Sequence, residues 1–183
     1  QVGEIRNLTN LVKPNIAAIT NVSSGHLQGL RDTDSIADEK GDILEFYDSN
    51  GIAILPRDSD FFEFWSDKTN ARKIISFGFH EDSDFKVKNP DIDVDNNLTS
   101  FELIHDGLLE ECSINGVGIH NTLNAAMGLA ICSVLNLNVS ETSFVPSVIG
   151  CAKLKLIGPI TLNQSSAIPT ELLILLLLSS EES

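Results

Sequence analysis

The chain has 183 residues, 42% of them hydrophobic and 21% charged, enough for one sizeable domain or one domain plus part of another. A formal net charge of −14 argues against a general binder of nucleic acid or membrane surfaces, which needs a basic face, while leaving room for a local anion site such as one for a nucleotide. The three cysteines, Cys112, Cys132 and Cys151, are far apart, show no metal-ligand spacing, and suit a reducing cytosol.

The first residues, QVGEIRNL, are polar with an early acid, unlike a secretion signal, so a cytoplasmic protein is expected. The chain starts without Met, and a piece of something longer is expected. Ile5, Leu8, Leu11 and Val12 have helical spacing, with Pro14 as a stop. Residues 16–20 are a short apolar run suited to a buried parallel strand, and 21–31 read as a loop containing His26. Asp32 or Thr33 can cap a helix reaching about Phe46, with Ile36, Ala37, Ile43 and Leu44 inward.

A turn at Ser49-Asn50-Gly51 leads to a second buried strand at 51–55, closed by Pro56. A short helix is expected at 60–65 and a strand at 73–77. Between Asp84 and Ile104 short alternating strands follow (Phe85/Val87, Ile92/Val94, Leu98/Phe101/Leu103), divided at Asn89-Pro90 and Asn96-Asn97 into a β-meander. Residues 115–118 read as a loop, and 120–135 as a helix burying Leu123, Ala126, Met127, Ala130, Ile131 and Val134. Residues 140–149 suit a further helix and 153–162 a strand pair. The apolar run at 171–178 is too short for a bilayer, which takes about 20 residues, so no membrane insertion is expected. As a helix it would be apolar all round with nothing obvious to bury it.

Few residues stand out chemically. A lone loop histidine such as His26 is most often structural, the alternative being a ligand. Lys40 shares its helix with Asp38, Glu39 and Asp42, which suits a solvated salt-bridged face, yet it lies between Ala37 and Ile43/Leu44, close to the apolar side. A lysine held in a site shifts its pKa readily, which opens neutral-amine chemistry. Asn121 and Asn124, beside His120, bring two amides to one side of a helix start. An amide can match the edge of adenine, but helix capping accounts for asparagine there equally well. No phosphate loop, nucleophile elbow, zinc cluster or dinucleotide fingerprint is present. The residues alone support an α/β ligand-binding domain.

Three blocks together resemble the central, ATP-binding domain of the Mur ligase family. The first is Gly3-Glu4-Ile5 with Leu8, Leu11 and Pro14, then Ile19-Thr20-Asn21 and Gly25-His26-Leu27. The second is Ile36-Ala37-Asp38-Glu39-Lys40-Gly41-Asp42-Ile43, with thirteen residues between His26 and Lys40. The third is Gly118-x-His120-Asn121-x-x-Asn124. Order and spacing agree over roughly residues 1–150.

The resemblance implies an α/β fold, an incomplete Mur-ligase central domain with a mostly parallel sheet flanked by helices and a small antiparallel meander. It implies ATP and Mg2+ as cofactors, His26 as a metal ligand, and Lys40 as a carbamylated, metal-bridging residue. Asn121 and Asn124 would lie at the adenine site, with His120 beside them. The implied substrates of the full-length enzyme are UDP-N-acetylmuramoyl-tripeptide and D-Ala-D-Ala, joined through an acyl phosphate.

Departures from the family pattern shape the domain expectation. Its phosphate loop and a magnesium-binding glutamate would fall upstream of Gln1, and Cys151-Ala152 stands after Gly150 where the family continues Gly-Arg. Residues 1–150 are therefore expected to be a partial central domain and 151–183 an aberrant or truncated tail, inactive alone. Other Mur-superfamily ligases, folylpolyglutamate or cyanophycin synthetases among them, remain alternatives, as does a non-catalytic nucleotide-binding remnant.

Overall fold

The computed structural model describes residues 3–20, 33–46 and 50–136 and the backbone of 174–177. The loop with His26, the helix expected at 140–149 and the strand pair at 153–162 lie outside the described residues. The chain divides into two units, Gln1–Ile75 with Glu171–Ser183, and Ser76–Thr170.

The first unit is built on β1 (Ile16–Ile19), whose four residues are all buried. An uninterrupted apolar run suits a parallel strand covered on both faces. It pairs in parallel with β2 (Ile52–Pro56), Ala17 opposite Ala53. Three helices accompany these strands: α1 (Glu4–Val12), α2 (Thr33–Gly41) and α3 (Phe62–Lys68). The core comprises Ala17, Ile19, Ala37, Ile43, Leu44, Phe46, Ala53, Leu55 and Trp65, against which Ile5 packs. Each large side chain buried there contributes about 1.5–3 kcal/mol of transfer free energy.

Three details differ from the sequence expectation. In α1 the inward line runs through Ile5 and buried Thr9, whose hydroxyl donates to the Ile5 carbonyl (2.9 Å), while Leu8 and Leu11 are 49% and 80% exposed. α2 stops at Gly41 and tightens into a 3-10 turn (Asp42–Leu44) instead of continuing to Phe46. α3 starts at Phe62, because residues 59–62 form a turn in which the Phe62 N–H donates to the Ser59 carbonyl.

The apolar run near the chain end is a strand, not a helix: β7 (Ile174–Leu177) pairs in parallel with β1 on the side away from β2, Ile16 opposite Ile174. An unpaired edge of an apolar strand is what such a run needs.

The strand β3 (Lys73–Gly78) runs from the first unit into the second, where it pairs in parallel with β4 (Phe85–Asp93) at Phe77 opposite Phe85 and Gly78 opposite Lys86. Parallel neighbours ordinarily need a crossover of a dozen or more residues. Here the short link is pinned by Asp84, whose carboxylate accepts from the Ser76 N–H (2.7 Å) and hydroxyl (2.6 Å).

β4, β5 (Leu98–His105) and β6 (Leu108–Asn115) form an antiparallel meander. The break expected at Asn89-Pro90 is not a turn; β4 continues through it with a register shift between Lys88 and Asp91. Asn89 takes a positive φ of 47° and Pro90 has no N–H to give the ladder, the two ingredients of a bulge. β6 was not expected, although its signal was there. Asp106 and Gly107, with φ of 50° and 76°, make a two-residue hairpin of the type Asp-Gly favours. α4 (Ile119–Val134) packs on all three meander strands and buries Ala125, Ala126, Met127, Leu129, Ala130 and Ile131, while Leu123 and Val134, expected in the buried stripe, are half-buried.

Candidate nucleotide and metal site

Lys40 lies in the last turn of α2 and is half-buried. Burial pushes its ammonium below the ordinary lysine value, because desolvation disfavours the charged form. The salt-bridged face expected of this helix includes Asp38 and Asp42. Lys68 reaches both carboxylates (2.8 and 3.0 Å), and Arg6 reaches Asp42 (2.9 Å) and Glu45 (3.1 Å). For Lys68, desolvation works against the charge, but the hydrogen bonds to Asp38 and Asp42 prevail and raise its pKa. The same partnership lowers the pKa of Asp38, chiefly through its hydrogen bond from Lys68.

β1 ends by delivering buried Thr20, and the segment carrying His26 follows outside the described residues. A strand whose C-terminal end opens into a polar loop is the usual place for a ligand in an α/β sheet. Among the described residues no group of three or more His, Cys, Asp and Glu is gathered for a metal.

In the second unit, α4 opens after Gly118, which is its N-cap and has a φ of 136°. His120, Asn121 and Asn124 therefore lie inside the helix, and capping does not account for the two asparagines. Both are half-buried, while His120 is exposed. The preceding loop is fitted to Asn121 and His120. A Cβ on Gly116 (φ 134°) would lie 3.2 Å from the Asn121 amide nitrogen, and one on Gly118 would run into the His120 ring at 2.5 Å. The loop is anchored in turn, since Gly116 N–H donates to the Asn97 carbonyl (2.8 Å) and the buried Thr99 hydroxyl donates to the Gly116 carbonyl (2.6 Å). Thr99 and Gly116 were absent from the sequence reading, whose only clue was the loop itself.

Lys40 thus belongs to the first unit, and His120, Asn121 and Asn124 to the second. No helix among the described residues is long and apolar enough to cross a membrane.

Comparison with known proteins places these features in a family. The profile of the Mur ligase middle domain matches residues 1–132. The UDP-N-acetylmuramoyl-tripeptide–D-alanyl-D-alanine ligase of Haemophilus influenzae is 30% identical over 139 residues, covering 76% of this chain and 28% of that protein. The ligase of the same name from Escherichia coli is 30% identical over 130 residues, covering 70% and 28%. The crystal structure of MurF from Acinetobacter baumannii superposes with a TM-score of 0.66 at 25% identity, over 75% of this chain and 29% of that one. The chain spans less than a third of the length of these relatives. The expected α/β architecture, parallel strands with an antiparallel meander, is the one observed, and the chain belongs to the Mur ligase middle-domain family.

Proposed function

We propose that the chain is the nucleotide-handling part of a cytoplasmic, ATP-dependent ligase that joins D-Ala-D-Ala to UDP-N-acetylmuramoyl-tripeptide in peptidoglycan precursor synthesis. Two relatives that carry this activity in their names support the substrate choice. The observation that carries the nucleotide reading is the placement of Asn121 and Asn124 within α4, free of any capping duty, behind a glycine loop that leaves room for Asn121 and His120. Each amide presents donors and an acceptor, the pattern adenine's edge requires, and His120 stands exposed beside them.

In the reaction a carboxylate oxygen of the peptide takes the γ-phosphoryl group of ATP and ADP leaves. The amine of D-Ala-D-Ala then adds to the acyl carbon, and phosphate departs with loss of the amine proton. Lys40 and His26 are the residues of this chain that would hold Mg2+. The half-buried, desolvated Lys40 fits that role once its amine has condensed with CO2, because the carbamate offers oxygen in place of an ammonium. Bound there, the metal would neutralise phosphate charge. The ligand-handling part lies within residues 1–150, with β7 (Ile174–Leu177) added to the edge of β1.

Equilibrium dialysis with ATP and Mg2+ tests the reading. Asn121→Ala and Asn124→Ala should each weaken binding about tenfold, or about 1.4 kcal/mol. No binding by the unmutated chain at millimolar ATP would reduce it to a structural remnant. A coupled phosphate-release assay with both substrates should show no turnover from these 183 residues alone, given the share of its relatives they span.

A further inference from the structure

Residues 65–70, the end of α3 and the turn after it, lie along residues 37–46 like a splint. The Trp65 indole N–H donates to the Ala37 carbonyl (2.9 Å), and the Lys68 ammonium donates to the Asp38 carbonyl (2.9 Å) and to the Asp38 and Asp42 carboxylates. Farther along, the Thr69 hydroxyl donates to the Leu44 carbonyl (3.1 Å), and the Asn70 amide exchanges two hydrogen bonds with the Phe46 backbone (2.9 and 3.0 Å). Gly41 permits the approach. A Cβ there would lie 3.0 Å from Lys68 Cδ and 3.2 Å from the Trp65 ring.

These contacts bracket one residue. Ala37 and Asp38 precede Lys40, Gly41 and Asp42 follow it, and all four meet Trp65 or Lys68. A helix ending has carbonyls without intrahelical donors, and its last turn frays unless other groups bind them. Here the Lys68 ammonium, from a different helix, supplies a donor to one of those carbonyls, that of Asp38, and the Trp65 indole adds a bond to the Ala37 carbonyl one residue earlier. The indole is fully buried, so its bond is shielded from water.

We propose that Trp65 and Lys68 are positioning residues for Lys40, fixing the last turn of α2 so that its side chain is held in one place. The inference rests on the reading of Lys40 as the carbamylated metal-bridging residue, and it gives α3 a role in the site that the sequence motifs leave unassigned.

Amide hydrogen exchange and a 13C-bicarbonate NMR spectrum of the chain, with Lys68→Met, Lys68→Arg and Trp65→Phe, form the test. Lys68→Met should raise exchange at the Lys40, Gly41 and Asp42 amides about tenfold while β1 and the thermal midpoint hold. Lys68→Arg should restore protection, and Trp65→Phe, which keeps an aromatic ring but loses the pyrrole ring and its N–H, should raise exchange at the same three amides with a lower thermal midpoint. Wild-type protection in Lys68→Met and Trp65→Phe overturns the proposal, as does a uniform rise throughout the unit, which would make the contacts merely stabilising. The carbamate signal expected in the unmutated chain should fall in Lys68→Met; an unchanged signal also overturns positioning. If the unmutated chain shows no carbamate but the exchange pattern appears, the reading of Lys40 fails while the splint stands.

Discussion

β1 has all four residues buried, whereas β6 leaves most of its residues in solvent, and that contrast runs through the two units. In the first, parallel strands are sunk among apolar side chains, and the residue of chemical interest hangs on a helix end held by side chains from elsewhere. In the second, β5 alternates, burying Thr99, Phe101 and Leu103 on one face. There the asparagines ride on a helix whose entry is shaped by backbone, through Gly116 and Gly118. Side-chain hydrogen bonds dominate in one unit, while in the other glycine conformations, anchored by the Thr99 hydroxyl, shape the entry.

Substitutions can break this contrast. Trp65→Ala should have the largest effect, about 3–5 kcal/mol, since it deletes a fully buried ring and its bond to Ala37. Urea unfolding followed by circular dichroism would measure it, and amide exchange should show protection lost around β1 and α2. Met127→Ala, also fully buried, should cost about 2–5 kcal/mol and loosen α4 and β5 instead. If either substitution strips protection equally from both units, they unfold as one cooperative body and the contrast is only one of local packing.

The thiols sharpen it at the lower end. Burial pushes Cys132 up to about 11, and burial with the nearby Glu110 carboxylate pushes Cys112 up to about 11 as well. Both should react slowly with iodoacetamide at pH 8, with rates rising toward pH 11. A thiol held neutral above its ordinary value of 9.0 contributes stability fully below pH 9 and loses it as the pH climbs from 9 toward 11. Urea midpoints of the second unit should therefore be flat between pH 7 and 8.5 and fall beyond.

Much of the fold was legible because its signals are local. Residues 16–20, 51–55 and 73–77 read as strands by composition alone, and the long apolar stripe of α4 by its period. The bulge at Asn89-Pro90 was not, because turn and bulge share the same residues and pairing with β5 decides between them. The strand at 174–177 depended on a vacant edge of β1, more than 150 residues earlier in the chain. For the site, the half-buried position of Lys40 followed from its apolar neighbours. Trp65 and Lys68, 28 and 30 residues from the carbonyls they bind, follow from no motif, since only tertiary folding brings them there.

The outer strand β6 also bears on how these molecules behave together. Among the described residues it has β5 on one side and no strand on the other, and Leu108 and Leu109 are 67% and 57% exposed. Such a rim would invite a second molecule to add its own strand. Glu110 and Glu111 stand at the middle of that rim, so two copies meeting antiparallel there would set carboxylate against carboxylate. The pair acts as a guard against aggregation, and it weakens in high salt, where those charges are screened.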